Sequence, residues 1–193
     1  MTKDFINDFD NDFNESIGLF LDELYRWNEK MSLTSVKREK ADEVLIKPSI
    51  EMAGSLEGMD NADVFDVGSG GGIPGIVMAL GQPANSFKLV ESNMKKAVFL
   101  SHIISELGLG NALVINKHTD EMIKGESFMH VADFVTSRAV NRARVFKAAA
   151  HFLKPGGRLF IHRSEKEKET DKSLRLSFKL IEKNEHVECY GIL

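Results

Sequence analysis

Val64-Phe65-Asp66-Val67-Gly68-Ser69-Gly70-Gly71-Gly72-Ile73-Pro74-Gly75 is the stretch that decides the fold. Val64, Phe65 and Val67 read as a buried strand that runs directly into a cluster of glycines, and Pro74 marks a helix start. Glycine tolerates positive φ and carries no Cβ, so such a loop lets backbone approach a ligand closely. The helix N-terminus behind it offers unpaired N–H groups and a partial positive charge, and Pro74 suits a first helical position. The loop is therefore shaped to hold a polar or anionic part of a nucleotide-like ligand.

The spacing admits two registers. From Gly70 it reads Gly70-x-Gly72-x-x-Gly75, a dinucleotide fingerprint that implies a nicotinamide-dependent oxidoreductase. From Asp66 it reads Asp66-x-Gly68-x-Gly70-x-Gly72, which places the glycines directly at the strand end, where the turn must be. A Walker phosphate loop is excluded, since no Gly-Lys-Ser/Thr follows. Phe87–Val90 reads as the next strand, and Glu91 at its end lies where such folds place the acid that takes ribose hydroxyls.

Outward from this stretch the chain alternates. The pattern predicts strands at Val64–Val67, Phe87–Val90, Leu113–Ile115, Phe134–Thr136 and Arg158–Ile161. It predicts helices at Pro74–Leu80, Lys95–Leu107 (closed by Gly108), near Asp120–Ile123 and at Arg142–Phe152. Pro155-Gly156-Gly157 reads as a turn, residues 165–172 as an exposed charged segment, and the last residues as antiparallel strands closing the sheet. Alternating strands and helices imply an α/β fold with a mainly parallel sheet covered on both faces. Ligands then bind beyond the C-terminal strand ends. Before the alternation, Phe9, Phe13, Ile17, Phe20, Leu21 and Leu24 recur at helical spacing. Residues around Val44–Ala53 form a second helical segment, with Pro48 near its start or at a kink. The expected organisation is an N-terminal helical extension over residues 1–60 and a second domain over 61–193.

No apolar run is long enough to span a membrane, and the acidic N-terminus lacks a basic signal-peptide start. Cys189 is the only cysteine, so there is neither a disulfide framework nor a cysteine metal site. No histidine pair has metal-ligand spacing. These features point to the cytoplasm. The net charge of −4 is unevenly spread. The first 25 residues hold one base and seven acids, whereas residues 138–163 carry Arg138, Arg142, Arg144, Lys147, Lys154, Arg158 and Arg163 with no acid among them. Such a block serves either as a phosphate-tracking surface or as a solvated helix face.

Four blocks, in order, resemble the bacterial 16S ribosomal RNA guanine-N7 methyltransferase family, also called the glucose-inhibited division protein B family. They are Trp27-Asn28-x-Lys30-Met31-x-Leu33-Thr34; the loop Asp66 to Gly75 with its Pro-Gly; Leu89-Val90-Glu91-Ser92-x-x-Lys95-Lys96-x-x-Phe99-Leu100; and Thr136-Ser137-Arg138-Ala139 followed by Leu153-Lys154-Pro155-Gly156-Gly157. The similarity covers roughly residues 17–163. It implies a Rossmann-like class I S-adenosylmethionine-dependent methyltransferase fold with an N-terminal helical extension, S-adenosyl-L-methionine as cofactor, no metal, and 16S ribosomal RNA or the small ribosomal subunit as partner of a monomer. It implies a cofactor site of Asp66, Gly68, Gly70, Gly72, Ile73, Glu91, Ser92, Thr119, Asp120 and Arg138, the last also positioning substrate. Asn28, Lys30, Lys95, Lys96, Arg142 and Arg163 would face RNA. The chain departs from the family pattern at Pro48, at His118 and at His162-Arg163, where a histidine, an arginine and a Lys-Gly pair are usual.

The implied chemistry fits a site without an obvious base, because guanine N7 has a lone pair and no proton to remove; alignment alone supports the transfer. Amino-group methylation would require an Asp/Asn-Pro-Pro-aromatic motif where Thr136-Ser137-Arg138-Ala139 stands. Carbon-5 methylation would need a cysteine nucleophile, and Cys189 is isolated near the C-terminus. Trp27 is read as core, with stacking on an extruded base as the other possibility. A methyltransferase of another RNA or a small molecule, a non-catalytic RNA-binding module and the oxidoreductase remain the competing readings.

Overall fold

The computed structural model describes residues 11–138, 140–162, 178–184 and 186–192. Parallel strands β1 (Asp63–Val67), β2 (Ser86–Val90), β3 (Ala112–Ile115), β4 (Ala132–Ser137) and β5 (Leu153–His162) alternate with helices α3 (Gly75–Gly81), α4 (Met94–Glu106), α5 (Thr119–Met122) and α6 (Arg142–Phe152). Strands β6 (Phe178–Lys183) and β7 (Val187–Ile192) complete a sheet of order β3-β2-β1-β4-β5-β7-β6, with β7 antiparallel to both its neighbours. The expected closing antiparallel strands are therefore present. The chain winds outward from β1 to β3, then restarts on the other side at β4. This reversal opens a crevice beyond the C-terminal ends of β1 and β4, where a ligand site belongs in an open α/β sheet.

Strand alternation splits the core between two faces. Phe65, Val67, Val135, Leu159 and Tyr190 meet Val145, Phe146, Ala149 and Phe152 of α6 on one face. On the other, Val64, Phe87, Phe134 and Phe160 meet Met78 and Ala79 of α3 and Met52 and Ala53 of α2 (Lys47–Gly54). That second face also carries α1 (Asn11–Asn28), whose buried Phe13, Ile17, Phe20, Leu21 and Leu24 pack with Ile76, Phe99, Leu100 and Ile103. Each such side chain stabilises the packing by roughly 2 kcal/mol. Phe9, expected on this helix, lies outside the described residues, as do residues 165–172.

The differences from expectation are local. Pro74 caps α3 instead of opening its first turn. Pro155-Gly156-Gly157 forms no turn before β5 but a bulge within it: Ala132 pairs with Leu153, and two residues on Phe134 already pairs with Arg158. The helical segment containing Pro48 is in two parts, a π-helical turn at Asp42–Ile46 and then α2, with Pro48 in its first turn. Asn93 caps α4 by accepting from the Lys95 and Lys96 amides, which fixes the start of this helix beside the end of β2.

Candidate functional site

Asp66 organises the glycine loop from below. Its carboxylate is fully buried and accepts from the Thr136 hydroxyl of the neighbouring strand (3.0 Å) and from the Gly75 amide (3.3 Å). A Cβ on Gly75 would sit 2.6 Å from the same carboxylate and 2.4 Å from Leu89, so only glycine lets α3 start this close to β1. Burial raises the Asp66 pKa to about 6, against the opposing effect of those hydrogen bonds. Above the acid, the Gly68 and Ser69 amides both donate to the Val90 carbonyl (2.8 and 3.1 Å), folding the loop over the end of β2.

Glu91 ties this loop to the next one. Its two carboxylate oxygens accept from the Gly70 amide (2.9 Å) and the Asn93 amide (2.7 Å), while its own carbonyl accepts from Asn116 (2.7 Å). Each carboxylate oxygen has a second acceptor position. Glu91, though only 8% exposed, also lines the cavity in front of the loop.

That cavity has a volume of about 1000 Å³. Its inner wall is Gly68–Gly71, Ile73, Glu91 and Ser92; one flank is Lys117, His118 and Thr119; the other holds Arg138, Val140 and Arg144. Leu33–Val36, Glu43–Leu45 and Pro48, from the N-terminal segment, complete the lining, with Leu33 close against Gly71. Gly68 has φ +74° and a Cβ there would lie 2.3 Å from Val140, so backbone and β4–α6 loop meet with no space for a side chain. Arg138 donates from Nη1 to the Val44 carbonyl (2.8 Å), and desolvation lowers its pKa to about 10. The Thr119 hydroxyl is buried without a hydrogen-bond partner among the described residues.

Gly68, Gly70, Ile73, Glu91, Ser92, Thr119 and Arg138, predicted separately, thus converge on one cavity. Asp66 and Gly72 lie behind it: the first supports the loop, and the second packs toward Ile76 and Leu100. Asp120 also lies outside the lining and faces His118 and Arg144 (3.3 and 4.0 Å). Among the residues expected to face RNA, Lys96 lines the cavity, whereas Lys30 and Lys95 are exposed beyond it. The Asn28 side chain is committed to its own turn, accepting from the Leu33 and Thr34 amides and donating to the Thr34 carbonyl. Arg142 is held by Glu188, with its Nη2 also 3.2 Å from the Tyr190 hydroxyl, inside the fold rather than on a surface. Arg163 lies outside the described residues. Trp27 packs on Phe99 and His102, as a core residue does. Sequence reasoning missed the wall from Leu33 to Pro48 as a cavity lining, and with it Glu43 and Val44; the π-helical turn that presents them leaves no periodic signature.

The model of the family described as rRNA small subunit methyltransferase G (GidB) matches residues 13–191. The chain belongs to this family. Its similarity to curated rRNA small subunit methyltransferase G proteins is 31% identity over 144 residues for Desulfitobacterium hafniense (74% of this chain, 59% of the relative). The Nitrosococcus oceani protein is 31% identical over 159 residues (82% and 72%). The Xanthomonas campestris pv. campestris protein is 33% identical over 158 residues (78% and 68%). The chain therefore spans between 59% and 72% of the length of these relatives. Among solved structures it is similar to the putative methyltransferase yhhF from Escherichia coli (TM-score 0.61, 15% identity, 75% of this chain and 85% of that one). It is also similar to a SAM-dependent methyltransferase from Aquifex aeolicus (TM-score 0.59, 14% identity, 89% and 96%). These likenesses establish the Rossmann-like class I methyltransferase fold. The cavity lies at the C-terminal strand ends of this sheet. Among the described residues, no group of three His, Cys, Asp or Glu is placed to hold a metal ion, and no helix is long and apolar enough to cross a membrane.

Proposed function

We propose that this chain transfers a methyl group from S-adenosyl-L-methionine to N7 of a guanine in 16S ribosomal RNA, acting as a cytoplasmic monomer on the small ribosomal subunit. The observation that carries the reading is the junction of Gly70, Glu91 and Arg138 around one cavity in a member of this family.

The residues present fit the cofactor. Gly68 and its neighbours form a cradle that a Cβ would fill. Glu91 keeps acceptor positions for ribose hydroxyls while its Gly70 and Asn93 bonds hold it still. Ile73 and Ser92 line the space beside it, and Thr119 closes the adenine side with Asp120 behind it. Asp66 and Gly72 maintain the loop's shape. When bound, S-adenosyl-L-methionine supplies an electrophilic methyl group on sulfur.

Guanine N7 carries no proton, so the chain needs no general base and contributes alignment and exclusion of water. Arg138 stands between the inner wall and the Val44 wall, where it can orient the substrate. The cations Lys96, Lys117 and Arg144 on the cavity wall, with Lys30, Lys95 and Arg163, attract the RNA backbone. Asn28 and Arg142 serve RNA binding indirectly, by shaping the 28–34 turn and the start of α6.

The test is calorimetric titration with S-adenosylhomocysteine, with NAD in parallel, followed by mapping of N7-methylguanosine in small-subunit RNA incubated with the protein and cofactor. Micromolar binding of the first ligand and one new N7-methylguanosine are expected. Binding of NAD alone would revive the Gly70-to-Gly75 register and remove the RNA reading.

A further inference from the structure

We propose that Glu43 is the specificity-determining residue that reads the Watson–Crick edge of the target guanine; this rests on the guanine-N7 reading above. A guanine offering N7 to a methyl donor on the inner wall turns its opposite edge, N1–H and the 2-amino group, away from that wall. Both groups on this edge are donors, and a carboxylate with two acceptor oxygens is their natural partner. Adenine offers an acceptor at N1 on the same edge and is repelled. A base extruded from RNA is commonly read through that edge.

Only two carboxylates line the cavity among the described residues, Glu43 and Glu91. Glu91 belongs to the inner wall and both its oxygens already hold backbone amides. Glu43 comes from the N-terminal segment, on a part of the lining that the sheet ends do not supply. Thr34 on the same wall is spent locally: its hydroxyl accepts from the Val36 amide (3.1 Å), and its backbone is held by Asn28. Among the described residues the Glu43 carboxylate pairs with Lys40, one helical turn back, through a solvent-exposed contact at 3.1 Å. An exposed pair of this kind is weak and readily exchanged. The backbone that presents Glu43 is nevertheless fixed. It lies in the π-helical turn Asp42–Ile46, a conformation frequent at functional sites. The adjacent Val44 carbonyl is held by Arg138. An adaptable carboxylate on a fixed backbone, in the same cavity as the glycine loop but outside it, is what recognition of this edge requires.

The test compares small subunits reconstituted with RNA carrying guanine or inosine at the mapped target. Inosine keeps N7 and N1–H and lacks only the 2-amino group. The wild-type chain is expected to lose about tenfold in kcat/KM on inosine. Glu43→Gln is expected to methylate guanine more slowly and to treat the two bases alike within about twofold, while its melting temperature stays near that of the wild type. Equal rates of the wild type on both RNAs, or full discrimination retained by Glu43→Gln, would overturn the assignment and leave the methyltransferase reading standing. A wild-type chain that forms no N7-methylguanosine on the unsubstituted RNA would overturn both.

Discussion

Arg138 and Val44 are 94 residues apart, yet the guanidinium Nη1 donates to the Val44 carbonyl at 2.8 Å, and both residues line the cavity. The bond joins the end of β4 to the π-helical turn of the N-terminal segment, two parts of the cavity lining. Arg138→Lys keeps a positive charge but loses the planar fork, and Arg138→Ala loses both. Both are expected to weaken S-adenosylhomocysteine binding by tenfold or more and to lower RNA methylation further, with alanine the worse. Hydrogen bonds from charged groups contribute about 1.5–3 kcal/mol, which sets that scale. Calorimetry and methylation assays check it; unchanged values for Arg138→Ala would dismiss the proposed role of this residue.

Gly68 and Val140 make a second contact within the lining, steric in kind. Gly68→Ala is expected to destabilise the fold by roughly 2 kcal/mol or more, through positive φ and through the clash with the Val140 methyl. Adding Val140→Ala should restore the steric part and leave the conformational part. A double-mutant cycle on urea midpoints measures the coupling. Strictly additive effects would show that the two residues are independent.

Asp66 makes the stability depend on pH in an unusual direction. Its folded pKa of about 6 lies above the ordinary carboxylate value of 3.8. Between those values the folded state holds more protons than the unfolded state, so this residue's contribution to stability falls as pH rises through the window and is constant above it. Linkage gives about 3 kcal/mol as an upper scale. Asp66→Asn should flatten that part of the stability–pH curve. It should also bind S-adenosylhomocysteine less well, because its amide nitrogen cannot accept the Thr136 proton and that hydroxyl must turn to accept instead. Denaturant midpoints from pH 4 to 7 decide; a parallel curve for the variant would mean that Asp66 ionises normally in the folded protein.

The sequence carried the inner wall of the site more clearly than the outer one. Gly68 to Gly75, Glu91 and Arg138 sit at strand ends, and strand ends follow from hydrophobic runs that stop at glycine or at a polar residue. Helix α6 was legible to the residue because apolar positions at helical spacing lie between an Asn cap and the β5 register. The wall from Leu33 to Pro48 was not. Its conformation is set by Asn28 gripping the Leu33 and Thr34 amides and by a π-helical turn, neither of which has a period. The bulge at Pro155–Gly157 was hidden for a related reason. Pro-Gly-Gly specifies that the chain bends, and the pairing of β5 on both sides of the bend depends on β4. Arg142 misled because a basic block looks alike whether its members meet phosphate or, as here, a buried glutamate from a strand 46 residues later.

The remaining cations can be assigned by their response to salt. Lys96 and Arg144 both line the cavity, at the start of α4 and on α6, and neither has a carboxylate closer than the 4.0 Å between Arg144 and Asp120 among the described residues. RNA neutralised by these side chains releases counterions, so the logarithm of affinity falls linearly with the logarithm of salt concentration, by about 0.7 per contact for single strands. Lys96→Ala and Arg144→Ala should each reduce the slope by roughly that amount and weaken binding at low salt. Arg142→Ala should leave the slope unchanged while lowering the melting temperature, since it takes the buried cation from the Glu188 carboxylate and leaves it the Tyr190 hydroxyl and the more exposed Lys183. RNA-binding isotherms at several salt concentrations, with thermal melts of the same variants, separate the two classes. A slope that falls for Arg142→Ala and holds for Arg144→Ala would exchange their roles and place the RNA path over the C-terminal strands instead of across the cavity mouth.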